Sequence, residues 1–134
     1  MAGLMLKFPS GDRIVVNGAV LENVGRGARL RVLTPDTQLL RLRDAVDPAK
    51  ATTPVGRLSH AVQMMLLGEC DIDTVLAETL VALTPLRLAF VAEDDRALVD
   101  EIVASLGGRH FYRALRQLGQ LRRRETVLLA HAGP

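Results

Sequence analysis

The chain has 134 residues, 49% of them apolar and only 3% aromatic, with a formal net charge of +2. A chain of this length buries roughly two thirds of its unfolded surface, so it needs neither disulfide nor metal to fold, and its apolar content excludes disorder as the default. Phe8, Phe90, Phe111 and Tyr112 are the only aromatics. A reader of single strands built on several stacked rings is therefore disfavoured, and the core has to be Leu, Val, Ala and Met. Cys70 is the only cysteine, which excludes an internal disulfide and reads as a small packed or surface residue. His60, His110 and His131 are scattered without zinc-ligand spacing. Residues 1–9 lack the basic segment and long apolar stretch of a signal peptide, and no apolar run approaches the ~20 residues of a membrane span. A cytoplasmic protein without membrane contact is expected.

The small net charge conceals a pattern. Residues 1–60 carry net +4, residues 61–106 net −7 and residues 107–134 net +5. Fifteen of the 17 cations are arginine, whose planar fork suits phosphate and base edges better than lysine does.

The first third predicts short strands. Leu4–Phe8 is apolar, and a turn cluster at Pro9-Ser10-Gly11-Asp12 follows. Arg13–Val16 and Ala19–Asn23 flank Asn17-Gly18, the strongest short hairpin signal, because a type I′ turn needs φ > 0 at both central residues. A second turn lies at Gly25-Arg26-Gly27 and a third at Thr34-Pro35-Asp36. Ala28–Leu33 alternates, with Ala28, Leu30 and Val32 on one face and Arg29 and Arg31 on the other. Leu39-Leu40-Arg41-Leu42-Arg43 alternates again and places Arg41 and Arg43 together. Residues 1–46 thus read as an antiparallel β-meander of about five strands. One face is apolar and the other carries arginines, as either a solvated face or a surface for an anionic ligand.

Residues 47–53 read as a linker, and residues 54–130 as a bundle of three to four helices at 54–67, 71–90, 94–106 and 109–130. The whole is α+β and is expected to behave as one cooperative domain. Pro54 suits a first helical turn, and Leu58, Ala61, Val62, Met65 and Leu66 recur at helical spacing up to Gly68. Asp71 is placed as an N-cap for the stripe Ile72, Val75, Leu76, Thr79, Leu80 and Leu83. Thr84-Pro85 is expected to end or kink that helix. Asp94 or Asp95 caps the next, with Leu98, Ile102 and Leu106 inward, and Gly107-Gly108 stops it as a C′ glycine would. The tail 131–134 is expected to fray. No internal repeat is present.

The last helix carries the sharpest feature. At 100° per residue, Phe111, Leu115, Leu118, Leu121 and Leu129 fall on one side. Arg109, Arg113, Arg116, Gln120, Arg123 and Arg124 fall on the other, with Tyr112 at the edge and Arg122 near the apolar side. No acid interrupts the stripe before Glu125, and no i,i+4 Glu–Arg pair softens it. The candidate counterpart is RNA phosphate, or the acidic middle of this chain or of a second copy.

Nothing assembles an active site. G-x-S-x-G, P-loop, H-E-x-x-H and dinucleotide fingerprints are all missing. The carboxylates at Asp71/Asp73 and Glu93-Asp94-Asp95 read as helix N-terminal acids, and Met64-Met65 reads as core. An enzyme, a cofactor and a metal are not expected.

The order Gly11–Asn23 followed by Ala28–Leu33 resembles the N-terminal half of the FlbT family of flagellin post-transcriptional regulators. Thr52-Thr53-Pro54 through Met64-Met65-Leu66-Leu67 is similar to that family's first helical motif, and Phe111–Leu115 to its aromatic pair. Ser59 and His60 stand where aromatics are expected. The resemblance covers about nine tenths of the chain in order. It implies binding to the 5′ untranslated region of flagellin mRNA, control of its translation and decay during flagellum biogenesis by repression or activation, and work beside a small partner, FlaF. It carries over no catalytic residue. Charge geometry selects the candidate RNA contacts Arg109, Tyr112, Arg113, Arg116, Arg123 and Arg124, assisted by Arg29 and Arg31, with Tyr112 stacking one base. The rival reading is a protein–protein adaptor in flagellar assembly, as a homodimer or with FlaF or flagellin, whose effect on RNA is indirect.

Overall fold

A computed structural model describes residues 5–34 and 37–132. Leu4, the Pro35-Asp36 part of the third turn, and Gly133-Pro134 of the tail lie outside the described residues. The chain divides into two compact units, Met1–Ala45 and Val46–Pro134. The architecture is α+β, with the strands first and the helices after them.

The first unit holds β1 (Met5–Phe8), β2 (Arg13–Val16), β3 (Ala19–Glu22), β4 (Ala28–Arg31) and β5 (Leu39–Arg41), all antiparallel. They form two sheets, β1-β4 and β3-β2-β5. Of these pairs only β2–β3 is a tight hairpin, and its turn has the expected signs, φ 48° at Asn17 and 87° at Gly18. The Gly25-Arg26-Gly27 turn is organised by Asn23. Its Oδ1 accepts from Gly25 N at 3.0 Å, and its Nδ2 donates to the carbonyls of Phe8 and Arg26, both at 2.8 Å.

The arginine pairing expected at Arg41 and Arg43 does not form. β5 stops at Arg41 and a 3-10 turn, Leu42–Asp44, breaks the alternation. Arg41 is buried and donates through Nη2 to Asp12 Oδ2 at 3.1 Å, whereas Arg43 is exposed. Almost fully desolvated, Arg41 finds an acid from the turn before β2, which no local pattern announces.

The second unit holds α1 (Pro54–Leu67), α2 (Ile72–Ala89), α3 (Glu93–Gly107) and α4 (Phe111–Ala132). α1 and α3 each pack on both α2 and α4. Val55, Val62 and Met65 of α1, Val99, Ile102 and Leu106 of α3, and Ala114, Leu118 and Leu121 of α4 are fully buried. Each large member stabilises the fold by roughly 1.5–3 kcal/mol through burial. α1 starts as expected: Pro54 takes the first turn, Thr53 Oγ1 accepts from Gly56 N at 3.1 Å, and Gly68 closes the helix at φ 70°.

Two expectations about helix ends change, and one alternative falls away: of the end or kink expected at Thr84-Pro85, the end does not occur, and α2 runs on to Ala89, within the expected 71–90. The missing N–H costs one intrahelical bond, and both Pro85 and Val81 lie on the exposed side, where water can satisfy the freed carbonyl of Val81. Neither Asp94 nor Asp95 caps α3: Ala92 holds the cap position without a side-chain bond, and the acids sit inside the first turn. Finally, Gly108 is not the left-handed residue after α3. Arg109 is, at φ 57°, with its own N–H on Leu106 O at 3.0 Å and His110 N–H on Ser105 O at 2.8 Å. This is a Schellman closure shifted one residue past the glycines.

Candidate nucleic-acid interface

α4 is amphipathic because its apolar residues recur at three and four. Leu115, Leu118 and Leu121 are buried as expected, and Phe111 is half-buried. Leu129 departs from the expected inward side. It is exposed together with Val127 and Leu128 near the end of α4.

The opposite face presents Arg113, Arg116, Gln120 and Arg123, all exposed. Their spacing of three, four and three residues draws a line of about 15 Å along the helix. Among the described residues no carboxylate pairs with Arg113, Arg116 or Arg123. Such a row of unneutralised guanidinium groups can grip successive oxyanions through charge-assisted bidentate hydrogen bonds.

The other positions of the stripe lie elsewhere. Arg109 precedes the helix and pairs with Asp73 at the start of α2 through Nη2 and Oδ1, at 2.5 Å. Arg124 Nε donates to both carboxylate oxygens of Asp95 at 3.0 and 3.1 Å, and that carboxylate is itself buried. Tyr112 is only 7% exposed, so its ring face is not presented for stacking. Arg29 and Arg31 are exposed in the first unit, on the same face of β1-β4 as Lys7 and Met5, with Lys7 directly opposite Arg29. Arg31 Nε lies 3.2 Å from Met5 Sδ.

Sequence reasoning missed two buried polar groups that tie distant segments together, Glu125 on α4 and Gln63 on α1. Glu125, the acid that ends the arginine stripe, is buried and accepts from Val55 N at 3.0 Å. Gln63 clamps residue 46 at both ends, its Oε1 accepting from Val46 N at 2.6 Å and its Nε2 donating to Val46 O at 3.1 Å. The only available signal was their interruption of an apolar stripe.

Burial and the adjacent Asp71 carboxylate raise the Cys70 thiol above its ordinary pKa, so it is not primed as a nucleophile. No cluster of three or more metal-ligating side chains occurs among the described residues. No helix among them is long and apolar enough to cross a membrane.

The second unit thus carries a cationic face along α4. The family model described as "Flagellar protein FlbT" matches residues 4–129. A relative from Caulobacter sp. (strain K31), the probable flagellum biosynthesis repressor protein FlbT, is 32% identical over 130 residues, 96% of this chain and 97% of its own. The flagellum biosynthesis repressor protein FlbT of Caulobacter vibrioides (strain ATCC 19089 / CIP 103742 / CB 15) is 30% identical over 132 residues, 96% of this chain and 90% of its own. A probable flagellum biosynthesis repressor protein FlbT from Rhizobium leguminosarum bv. trifolii (strain WSM2304) is also 30% identical over 132 residues, 98% of this chain and 87% of its own. No solved structure matches. The chain belongs to the FlbT family of flagellar proteins.

Proposed function

We propose that this chain regulates flagellum biosynthesis by binding the 5′ untranslated region of flagellin mRNA through the exposed face of α4. The observation that carries the reading is the acid-free row Arg113, Arg116 and Arg123, which has no counter-charge of its own among the described residues. The relatives' names, repressors of flagellum biosynthesis, support the regulatory part. Arginine contacts to phosphate position the protein without reading sequence. Selectivity then comes from the shape of the folded leader and from its loop bases. An occupied leader blocks ribosome loading or alters exposure to nucleases. The protein acts in the cytoplasm, where the message is.

The test is salt-dependent binding of purified protein to flagellin leader RNA against a scrambled RNA. Three phosphate contacts on a single-strand lattice give a slope of log K on log salt near −2. Arg113→Gln should reduce the slope by about 0.7. Equal binding to scrambled RNA, or a slope near zero, removes the proposal.

A second reading rests on the exposed Val127, Leu128 and Leu129 at the end of α4. A run of apolar side chains beside a cationic face also suits a protein partner such as FlaF or flagellin. In that adaptor reading the leader RNA does not bind the purified protein, and the effect on the message is indirect.

A further inference from the structure

β3 and β4 are exposed along their whole lengths, and among the described residues each has one edge without a strand partner, as terminal strands of their sheets. On one face their apolar residues are not covered: Leu21 is 48% exposed and Leu30 37%. Open strand edges with apolar side chains are templates for pairing with another chain.

We infer that β3 of one copy pairs antiparallel with β4 of a second copy, and reciprocally, to make a homodimer. Within the bounds of the two strands, one register sets both an apolar and a charged pair, Leu21 with Leu30 and Glu22 with Arg29. Leu21 opposite Leu30 continues a row already set by Leu6↔Leu30 and Ile14↔Leu21. Leu6, Leu30, the partner's Leu21 and the partner's Ile14 then line one face across four strands. The same register sets Glu22 opposite Arg29, on the face where Arg29 lies beside Lys7 and Glu22 beside Arg13. That places one carboxylate between cations which otherwise repel across β1-β4; Arg13 already pairs with Glu22 at 2.8 Å. A shift by one residue puts Arg29 or Arg31 opposite Leu21 and loses both matches. Because β3 meets β4 and β4 meets β3, a twofold axis closes the assembly at two chains rather than a fibre. This pairing is independent of the RNA reading.

The test uses the full chain in a Cys70→Ser background. Glu22→Cys and Arg29→Cys proteins are prepared separately, mixed and mildly oxidised. The expected result is a covalent dimer in the mixture, with the 22–29 disulfide identified by mass spectrometry, and far less from either protein alone. Light scattering of the unsubstituted chain should give the mass of two chains, and Leu21→Asp, at an already exposed position, should return it to one. A monomer at every concentration overturns the inference. So does a dimer whose mixed cysteines do not cross-link. An intramolecular disulfide in a monomeric Glu22→Cys/Arg29→Cys protein also overturns it, since that would mean β3 and β4 close on each other within one chain.

Discussion

Glu125 Oε2 accepts the backbone N–H of Val55 at 3.0 Å, across 70 residues of sequence. A carboxylate from the last helix thereby satisfies an orphan donor in the first turn of the first, beside the Thr53 cap. Both residues are buried. Glu125→Ala leaves that N–H without a partner and should lower unfolding stability by about 1–3 kcal/mol in urea titration. Glu125→Gln keeps an acceptor and should lose clearly less. Equal losses would mean that packing, not the bond, sets the cost.

Arg123 and Arg124 are neighbours in sequence with opposite expected phenotypes. Arg124→Ala strands the buried Asp95 carboxylate and should cost about 1–2 kcal/mol, reduced from a fully buried pair because the arginine is partly exposed. Leader-RNA affinity of the folded protein should stay nearly unchanged. Arg123→Ala should be neutral for stability within about 0.5 kcal/mol and should weaken leader binding. Denaturant midpoints and filter binding on the same two proteins check both halves.

Arg109 holds a left-handed backbone at φ 57°, which glycine adopts without a Cβ penalty. Its ion pair with Asp73 is exposed on both sides and contributes little. Arg109→Gly should therefore raise stability by about 0.5–1 kcal/mol. Because Arg109 stands before α4 rather than on its outer row, RNA affinity should barely change. A loss of stability would show that the pair with Asp73 outweighs the backbone strain.

The Arg87–Asp100 pair ties α2 to α3 through two hydrogen bonds, at 2.8 and 3.2 Å. The hydrogen bond from Arg87, aided by its charge, holds the Asp100 carboxyl below the ordinary aspartate value. Folded and unfolded chains then differ in proton uptake only in acid. The pair's contribution is present above the unfolded pKa and is lost as pH falls through the lower folded one. Carbon-detected titration of Asp100 should show a depressed midpoint, and Arg87→Ala should move it back up. An unmoved midpoint would place the cause elsewhere.

Much of this protein was legible locally. Asn17-Gly18 announced its hairpin and Thr53-Pro54 its helix start, because φ restrictions and cap chemistry act within a few residues. The inner and outer sides of α4 followed from a 3.6-residue period up to Leu121. That is why the row Arg113, Arg116 and Arg123 is visible in the sequence.

What the tertiary structure decided was which charges are already spent and which strands meet. Arg124 and Arg109 share the stripe's sign, yet each is neutralised by an acid far away in sequence, Asp95 and Asp73. Tyr112 is buried although the helical wheel sets it at the stripe's edge. β1 pairs with β4, and β2 takes β5 as its second neighbour. Periodicity specifies a face and a turn specifies a reversal. Neither says which distant segment will fill the other side, because that choice is set by the summed packing and ion pairing of the whole chain.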